Sequence, residues 1–402
     1  MIIPSYLNKE EYLQMPILHR FLREKKIKLP TYKMEYIKKI EEYANENGEH
    51  ELEVKQWLQR ILKEGSKDIC YKKIYINKND LNVNSIESKI KEAFPNCPKE
   101  SILETKIPDK LELINYNIIQ EDDIIKKIEF DFVGKFRCGE INKQETTTMT
   151  IYPLFIDVYL DLGFIVSRGK AKSTMFCYKE GNPYLNTDDK VDTIKLAVKM
   201  IDKIILLLGL ETESDSRISK NNNYKMLFRL YQEYSYTPAD VVKKIDSQNN
   251  SITQFIDEIF SSLNLDITNK EKAVLDARIL VEKFISINGD NEEIFKKDRP
   301  AYLTKVSTDD EIEATRIDTS SNKLTPLQCT EAFFDGKKSV MKSQICKKIK
   351  LVFKRQNELY FTNNNPLTVQ FGSKKNYNYI KFIQYAEEED IQNVLQAVFK
   401  NY

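Results

Sequence analysis

IEFDFV, residues 128–133, sets Ile128, Phe130 and Phe132 against Glu129, Asp131 and Val133 with a period of two. Successive side chains of a β-strand point to opposite faces, so this alternation predicts a strand with one apolar face and one mainly polar face. From Lys110 to Tyr178 the same period persists, with a β-branched run TTTMTIY at 146–152. An antiparallel sheet is expected there. Asp131, Asp157 and Asp161 fall inside it as candidates for a carboxylate cluster, or as exposed strand residues. LGFIVSRGKAKSTMFCY, 162–178, reads as a hairpin turning at SRGK, with Gly169 supplying a positive φ and Arg168, Lys170 and Lys172 exposed at its tip. Were YPLFIDVYLDLG (152–163) helical instead, that hairpin would become the wing of a winged-helix unit; short apolar runs leave both open.

On the N-terminal side the period becomes helical. Pro16 suits the first turn of PILHRFLREKK, with Leu18, Phe21 and Leu22 on one face. An extended IKLP follows, and Thr31 is placed to cap YKMEYIKKIEEYA, residues 32–44. Val54, Trp57, Leu58, Ile61 and Leu62 form a stripe for a third helix ended near Gly65. A strand is expected around Lys73 to Ile76, and a helix from Ser85 to Phe94 stopped by Pro95.

On the other side, Asn186 or Thr187 is placed to cap a helix from Asp188 to Leu208 closed by Gly209, and ETESDSRISKNNN (211–223) reads as a linker. Helices follow at the spacings of Met226 to Tyr231, Phe255 to Phe260 and Leu275 to Phe284. The polar stretch STDDEIEATRIDTSSNK (307–323) is expected to be loop-rich. KKIKLVFKR, ELYFT, LTVQF and NYIKFIQY suggest strands, and Asp390 to Phe399 a closing helix. The fold class expected is α+β and multidomain. Its parts are a small helical domain at 1–66, an α+β domain with an antiparallel sheet and a long closing helix at 67–210, a helical region at 223–300, and a small basic α+β domain at 324–402.

With 402 residues, 41% of them hydrophobic, the chain is long enough for more than one core. Charged residues make up 31% yet balance to +1, so any anion-binding site must be local. MIIPSYLNKEEYLQ has no basic stretch before an apolar run, and the most apolar window, Ile204 to Leu210, lies in a pattern that carries Lys195, Lys199, Asp202 and Lys203. These features argue against a secretory signal and a membrane span, and a cytoplasmic location is expected. The six cysteines form no CxxC pair, and His19 and His50 are the only histidines. No phosphate loop, GxGxxG, HExxH or GxSxG occurs, so neither a metal nor a nucleotide cofactor is called for.

Two segments are locally basic. The first spans Arg20, Arg23, Lys25, Lys26, Lys28, Lys33, Lys38 and Lys39, opposed only by Glu24 and Glu35. LHRFLREKKIKLPTYKMEYIKKIEEY resembles a SAP domain, a DNA-binding helix, extended loop and helix. The resemblance implies phosphate-backbone contacts from Lys28, Thr31 and Lys33. Lys26 and Thr31 stand where that family commonly has glycine, which bears on the loop conformation. The second includes Lys348, Lys350 and Lys354, alternating with Ile349, Leu351 and Phe353, and is followed by Lys374, Lys375, Tyr377, Tyr379 and Lys381. A basic strand face suits a phosphate backbone with tyrosines stacking on bases; it also suits an edge strand guarded by lysines.

The expectation is therefore a nucleic-acid-binding protein, its ligand DNA before RNA. The residues assigned to contact are Arg20, Arg23, Lys26, Lys28, Thr31, Lys33, Lys38, Arg168, Lys170, Lys348, Lys350 and Lys354. Richness in Lys, Asn and Ile associates the chain with AT-rich genomes of bacterial or phage type, and so with genome defence or mobile elements. One alternative is a Mg²⁺-dependent nuclease with a degenerate site, using Glu104-Thr105-Lys106 with Asp80, or the related strings at Glu87 and Glu282. The other is an interaction subunit whose basic patches meet a protein partner or a second copy of the chain.

Overall fold

The computed structural model describes residues 1–9, 12–76, 82–139, 148–172, 175–178, 189–213, 215–288, 292–297, 299–310, 315–321, 325–355, 366–374 and 377–402. The elements are, in chain order, α1 (Ser5–Lys9), α2 (Met15–Glu24), α3 (Lys33–Ala44), α4 (Gly48–Lys63), β1 (Asp68–Tyr75), α5 (Val83–Ala93), β2 (Glu112–Glu121), β3 (Ile124–Cys138), β4 (Thr148–Tyr159), β5 (Phe164–Gly169), β6 (Met175–Cys177), β7 (Lys190–Val191), α6 (Thr193–Leu208) and β8 (Glu211–Thr212). They continue with α7 (Ser216–Ser235), α8 (Ala239–Ser247), α9 (Asn249–Ser262), α10 (Lys270–Ile287), α11 (Glu292–Lys296), β9 (Ala301–Asp310), β10 (Thr315–Ser320), α12 (Glu331–Ser343), β11 (Lys348–Phe353), β12 (Leu367–Lys374), β13 (Tyr377–Phe382) and α13 (Glu388–Asn401). The class is α+β.

The chain divides into two compact units rather than the four segments read from the sequence. The first comprises residues 1–220, 355–367 and 374–399, and the second 221–354, 368–373 and 400–402. The segment 324–402 is not a unit by itself, because its strand β13 pairs with β1 of the first unit.

In the first unit the strands run in the order β13, β1, β5, β4, β3, all antiparallel. The far side of β3 is shared by β2 along its first part and β6 at its end. One sheet face carries Ile128, Phe130 and Phe132 into a core with Ile86 and Ile90 of α5 and Met200, Ile201 and Ile204 of α6. The other carries Val133, Ile151 and Phe155 toward Leu18, Ile37, Trp57 and Leu58 of the N-terminal helices. The alternation at 128–133 thus serves two layers, and its polar positions stand beside the second.

Local chemistry sets the ends of the layers. Asn47 Oδ1 accepts from the His50 N–H at 2.8 Å to start α4, and the five-residue stripe from Val54 to Leu62 is buried as expected. Asp192, rather than Asn186 or Thr187, caps α6, accepting from Ile194 and Lys195 N–H at 2.9 and 3.1 Å; Asn186 and Thr187 lie outside the described residues. Gly209 closes α6 at φ 68°.

Several expectations need correction. YPLFIDVYLDLG supplies the end of strand β4, not a helix, and the β4–β5 turn lies at residues 160–163 with Gly163 at φ 69°. SRGK is therefore no hairpin tip: β5 pairs with β1 on one side and β4 on the other, which buries Arg168 to 1% exposure. Lys170 follows that buried end, with its ammonium 5.0 Å from the Tyr12 ring. The run at 211–223 is β8 followed by helix, because Asp215 Oδ1 accepts from the Arg217 N–H at 2.7 Å and Tyr224, Met226 and Leu227 are buried.

In the second unit the strand order is β10, β9, β11, β12. The stretch 307–323, expected to be loop-rich, instead supplies the end of β9 (Ala301–Asp310) and β10 (Thr315–Ser320), which pair antiparallel. ELYFT, expected as a strand, lies outside the described residues, while LTVQF and NYIKF form β12 and β13. Val241, Ile245 and Phe295 make a small buried core among the helices.

At Gly134 of β3 a side chain has no room, since an ideal Cβ would lie 2.7 Å from the Leu111 backbone nitrogen. Backbone cannot step aside as a flexible side chain can. Gly134→Ala is expected to destabilise the protein by about 1–3 kcal/mol, read from the urea midpoint, and an unchanged midpoint would show that the 110–111 segment yields freely.

Candidate functional site

The helix, loop and helix read in the sequence is formed by α2, residues 25–32 and α3. Buried Ile17, Leu18, Phe21 and Leu22 of α2 share a core with Tyr36, Ile37, Ile40 and Ala44 of α3. The exit from α2 is a Schellman motif: Ile27 N–H donates to Leu22 C=O at 2.8 Å and Lys26 N–H to Arg23 C=O at 3.0 Å. Lys26 accordingly takes φ 57°, the left-handed conformation for which glycine is the easy choice. Thr31 is not the cap of α3. Tyr32 occupies that position without a side-chain hydrogen bond, and Thr31 is exposed.

Neighbouring carboxylates divide the cations of this unit. Arg20 pairs with Glu24 at 2.7 Å and with Glu387, and Lys25 pairs with Glu53. Lys38 stands 4.0 Å from Glu42, both well exposed, a geometry of little energetic consequence. Arg23, Lys26 and Lys28 are exposed and Lys33 is half-buried; among the described residues Lys26, Lys28 and Lys33 have no ion-pair partner. Tyr32, 69% exposed, lies among them.

The C-terminal basic cluster is dispersed. Lys348 and Lys350 are half-buried on β11, an interior strand flanked by β9 and β12 rather than an edge, and Lys350 pairs in register with Lys305. Lys354 is exposed just past the strand, with its N–H donating to Pro300 C=O at 2.8 Å. Lys337 is held by Glu282 at 2.7 Å and Lys338 by Asp276, while Arg355 binds Asp390 at 2.9 Å.

The first unit also holds a polar cleft of about 400 Å³. Its floor is the polar face of the sheet: Lys127, Glu129 and Asp131 at alternate positions of β3, Asp157 opposite Glu129 on β4, and Arg168 on β5. Its walls include Gln56, Gln59, Arg60 and Lys63 of α4 and Glu388 at the start of α13. Arg168 lies deepest, donating from Nη2 to Asp157 Oδ2 and from Nη1 to Glu388 Oε2, each at 2.6 Å. Lys127 reaches Glu129 at 2.5 Å and Asp157 at 3.4 Å. Lys63 stands 3.7 Å from Glu129 and 3.5 Å from Asp131, with its ammonium 5.4 Å from the Phe155 ring.

Burial opposes every charge here, and the neighbours decide the outcome. For Asp157, Arg168 and then Lys127 outweigh burial and hold the carboxyl below its ordinary range. Glu388 is lowered in the same way, chiefly by Arg168. Burial, with Glu129 and Asp157 close by, instead raises Asp131, since Lys63 compensates only in part. Beside the cleft, Lys67 is 2% exposed and donates to Leu62 C=O at 2.7 Å; burial, then Lys170 and Arg168, push its ammonium down to about 7.

Two of the three carboxylates read from the sequence are thus brought together. Asp131 and Asp157 share the cleft, while Asp161 is exposed in the β4–β5 turn. Glu104 is in a turn and pairs with Lys55 at 3.1 Å, Glu87 is on α5, and Asp80 lies outside the described residues. Among the described residues no group of three or more His, Cys, Asp or Glu is arranged to hold a metal ion, and no helix is long and apolar enough to cross a membrane. The partners of Arg168 were missed, although Lys127, Glu129 and Asp131 at alternate positions already marked a charged strand face. No protein-family model matches the chain, and no curated protein or solved structure matches it.

Two measurements test these electrostatics. Arg168→Met removes one partner of a buried ion pair and is expected to cost about 3–5 kcal/mol in urea unfolding; a loss below about 1 kcal/mol would mean the remaining charges re-pair. Lys67 binds its proton less readily when folded than when unfolded, where its pKa is about 10.4. Between pH 7 and 10 the unfolded chain therefore holds the extra proton, and stability rises with pH by up to about 1.4 kcal/mol per unit. Lys67→Met should abolish that rise between pH 7 and about 9; an unchanged slope would assign it to other groups.

Proposed function

We propose that the protein binds nucleic acid, DNA in preference to RNA, through the surface formed by α2, the 25–32 connection and α3. The observation that carries this reading is the Schellman turn, which sets exposed Lys26 between exposed Arg23 at the end of α2 and exposed Lys28 in the short connection to Lys33, the first residue of α3. Helix amides and lysines together suit phosphate oxygens, and exposed Tyr32 offers a ring to a base or sugar. Such contacts give binding that depends on salt more than on sequence. Arg168 plays no part in it, since it is 1% exposed and its two terminal nitrogens are committed to Asp157 and Glu388. Arg20 contributes little, held by Glu24 and Glu387.

Fluorescence anisotropy with labelled duplex DNA across a salt series tests the reading. Changing Lys26, Lys28 and Lys33 together to Glu is expected to weaken binding at least ~10-fold at low salt and to reduce the salt slope by about 2–3. Lys26→Gly supplies the control for folding: relief of the left-handed strain should stabilise the protein by about 1 kcal/mol while binding still falls. Wild-type protein that fails to bind at low salt would overturn the proposal, and duplex RNA in the same series decides between the two ligands.

A further inference from the structure

We infer that the polar cleft of the first unit is a binding site for a small zwitterion of the α-amino-acid class. The ligand ammonium is received by Glu129 and Asp131, and its carboxylate by Lys63 and Arg60. This site is separate from the α2–α3 surface. Its volume, about 400 Å³, falls within the range of small-molecule sites, and its lining is charged rather than apolar. Four cations, Arg60, Lys63, Lys127 and Arg168, face four carboxylates, Glu129, Asp131, Asp157 and Glu388. A net anion or cation entering this balanced, partly buried array would leave one charge uncompensated, whereas a zwitterion leaves none.

The deep half of the array is already satisfied. Arg168, Asp157 and Glu388 are joined by 2.6 Å hydrogen bonds and form a fixed floor. The outer half is open. Lys63 lies 3.5 and 3.7 Å from Asp131 and Glu129, beyond the distance of a good charge-assisted hydrogen bond, and among the described residues Asp131 Oδ1 has no hydrogen-bond partner. Arg60, 51% exposed, pairs with Glu64 at 3.5 Å, a long contact, and Glu64 is held as well by the Tyr385 hydroxyl at 2.6 Å and the Glu388 N–H at 3.3 Å, so the guanidinium can turn toward a ligand. Arg168, 2% exposed in its side chain and part of the cleft lining, also leaves Nε without a hydrogen-bond partner among the described residues. A ligand ammonium fills acceptor positions that Lys63 only shares, and its carboxylate gives Lys63 and Arg60 a close acceptor in place of their contacts of 3.5 Å and longer.

Isothermal titration of the full chain with each common L-amino acid tests the inference. At least one is expected to bind, with its deaminated hydroxy acid and its carboxamide both binding at least ~10-fold more weakly, because each lacks one of the two charges. Asp131→Asn should weaken binding by a similar factor. If that variant is unfolded by circular dichroism, Arg60→Gln at the exposed rim carries the test, with the loss expected to be restored in part by Arg60→Lys. No heat of binding from any amino acid at about 10 mM to folded protein would overturn the inference. So would binding of inorganic phosphate or spermidine as tightly as any zwitterion, or binding indifferent to both variants.

Discussion

The buried guanidinium of Arg168 is the constraint around which the first unit is organised. A charge at 1% exposure survives only with carboxylates against it, and Asp157 and Glu388 provide them from β4 and α13. Phe399, from the same helix as Glu388, stacks on Phe164 of β5 with ring centroids 4.3 Å apart, so α13 meets β5 through an ion pair and an aromatic pair. Residues distant in sequence thereby become neighbours whose geometry is not adjustable piece by piece. Lys67, the next buried cation, meets the same desolvation problem with a different outcome, since burial outweighs Glu64 and Glu388 and pushes its ammonium down to about 7.

Much of the fold was legible because local patterns decide it. The two-residue alternation at 128–133 and the five-residue stripe on α4 named strand, helix and buried face alike. The misreadings share a cause in pairing over long distances. SRGK has the composition of a turn, yet β1, almost one hundred positions earlier, covers that strand and makes Arg168 an interior residue. Residues 307–323 look polar enough for a loop, but antiparallel partners pair 307–310 and 315–320 through hydrogen bonds that composition cannot reveal. Likewise, nothing local to 324–402 indicates that β13 completes a sheet begun by β1.

The functional surfaces were legible to different degrees for a related reason. The lysines around the 25–32 connection lie close in sequence, so their accumulation was visible, and only the consumption of Arg20 and Lys25 by distant Glu387 and nearby Glu53 required coordinates. The cleft draws on α4, four strands, the turn at 101–102 and α13, so its charge balance has no linear signature. The C-terminal lysines show the converse, since a cluster in sequence is spread among separate carboxylates and an interior strand in space.

Strand β3 is a single fifteen-residue ruler shared by β4 on one side and by β2 and β6 on the other. Its odd and even positions write two different texts, the α5–α6 core in Ile128, Phe130 and Phe132 and the cleft floor in Lys127, Glu129 and Asp131. A single inserted or deleted residue would exchange the two, sending carboxylates into the apolar layer and phenylalanines into the cleft. In evolution the length of this strand is thus far less free to change than its side chains. Divergence of the cleft can proceed only by substitution in place, with core and site inherited together as one register.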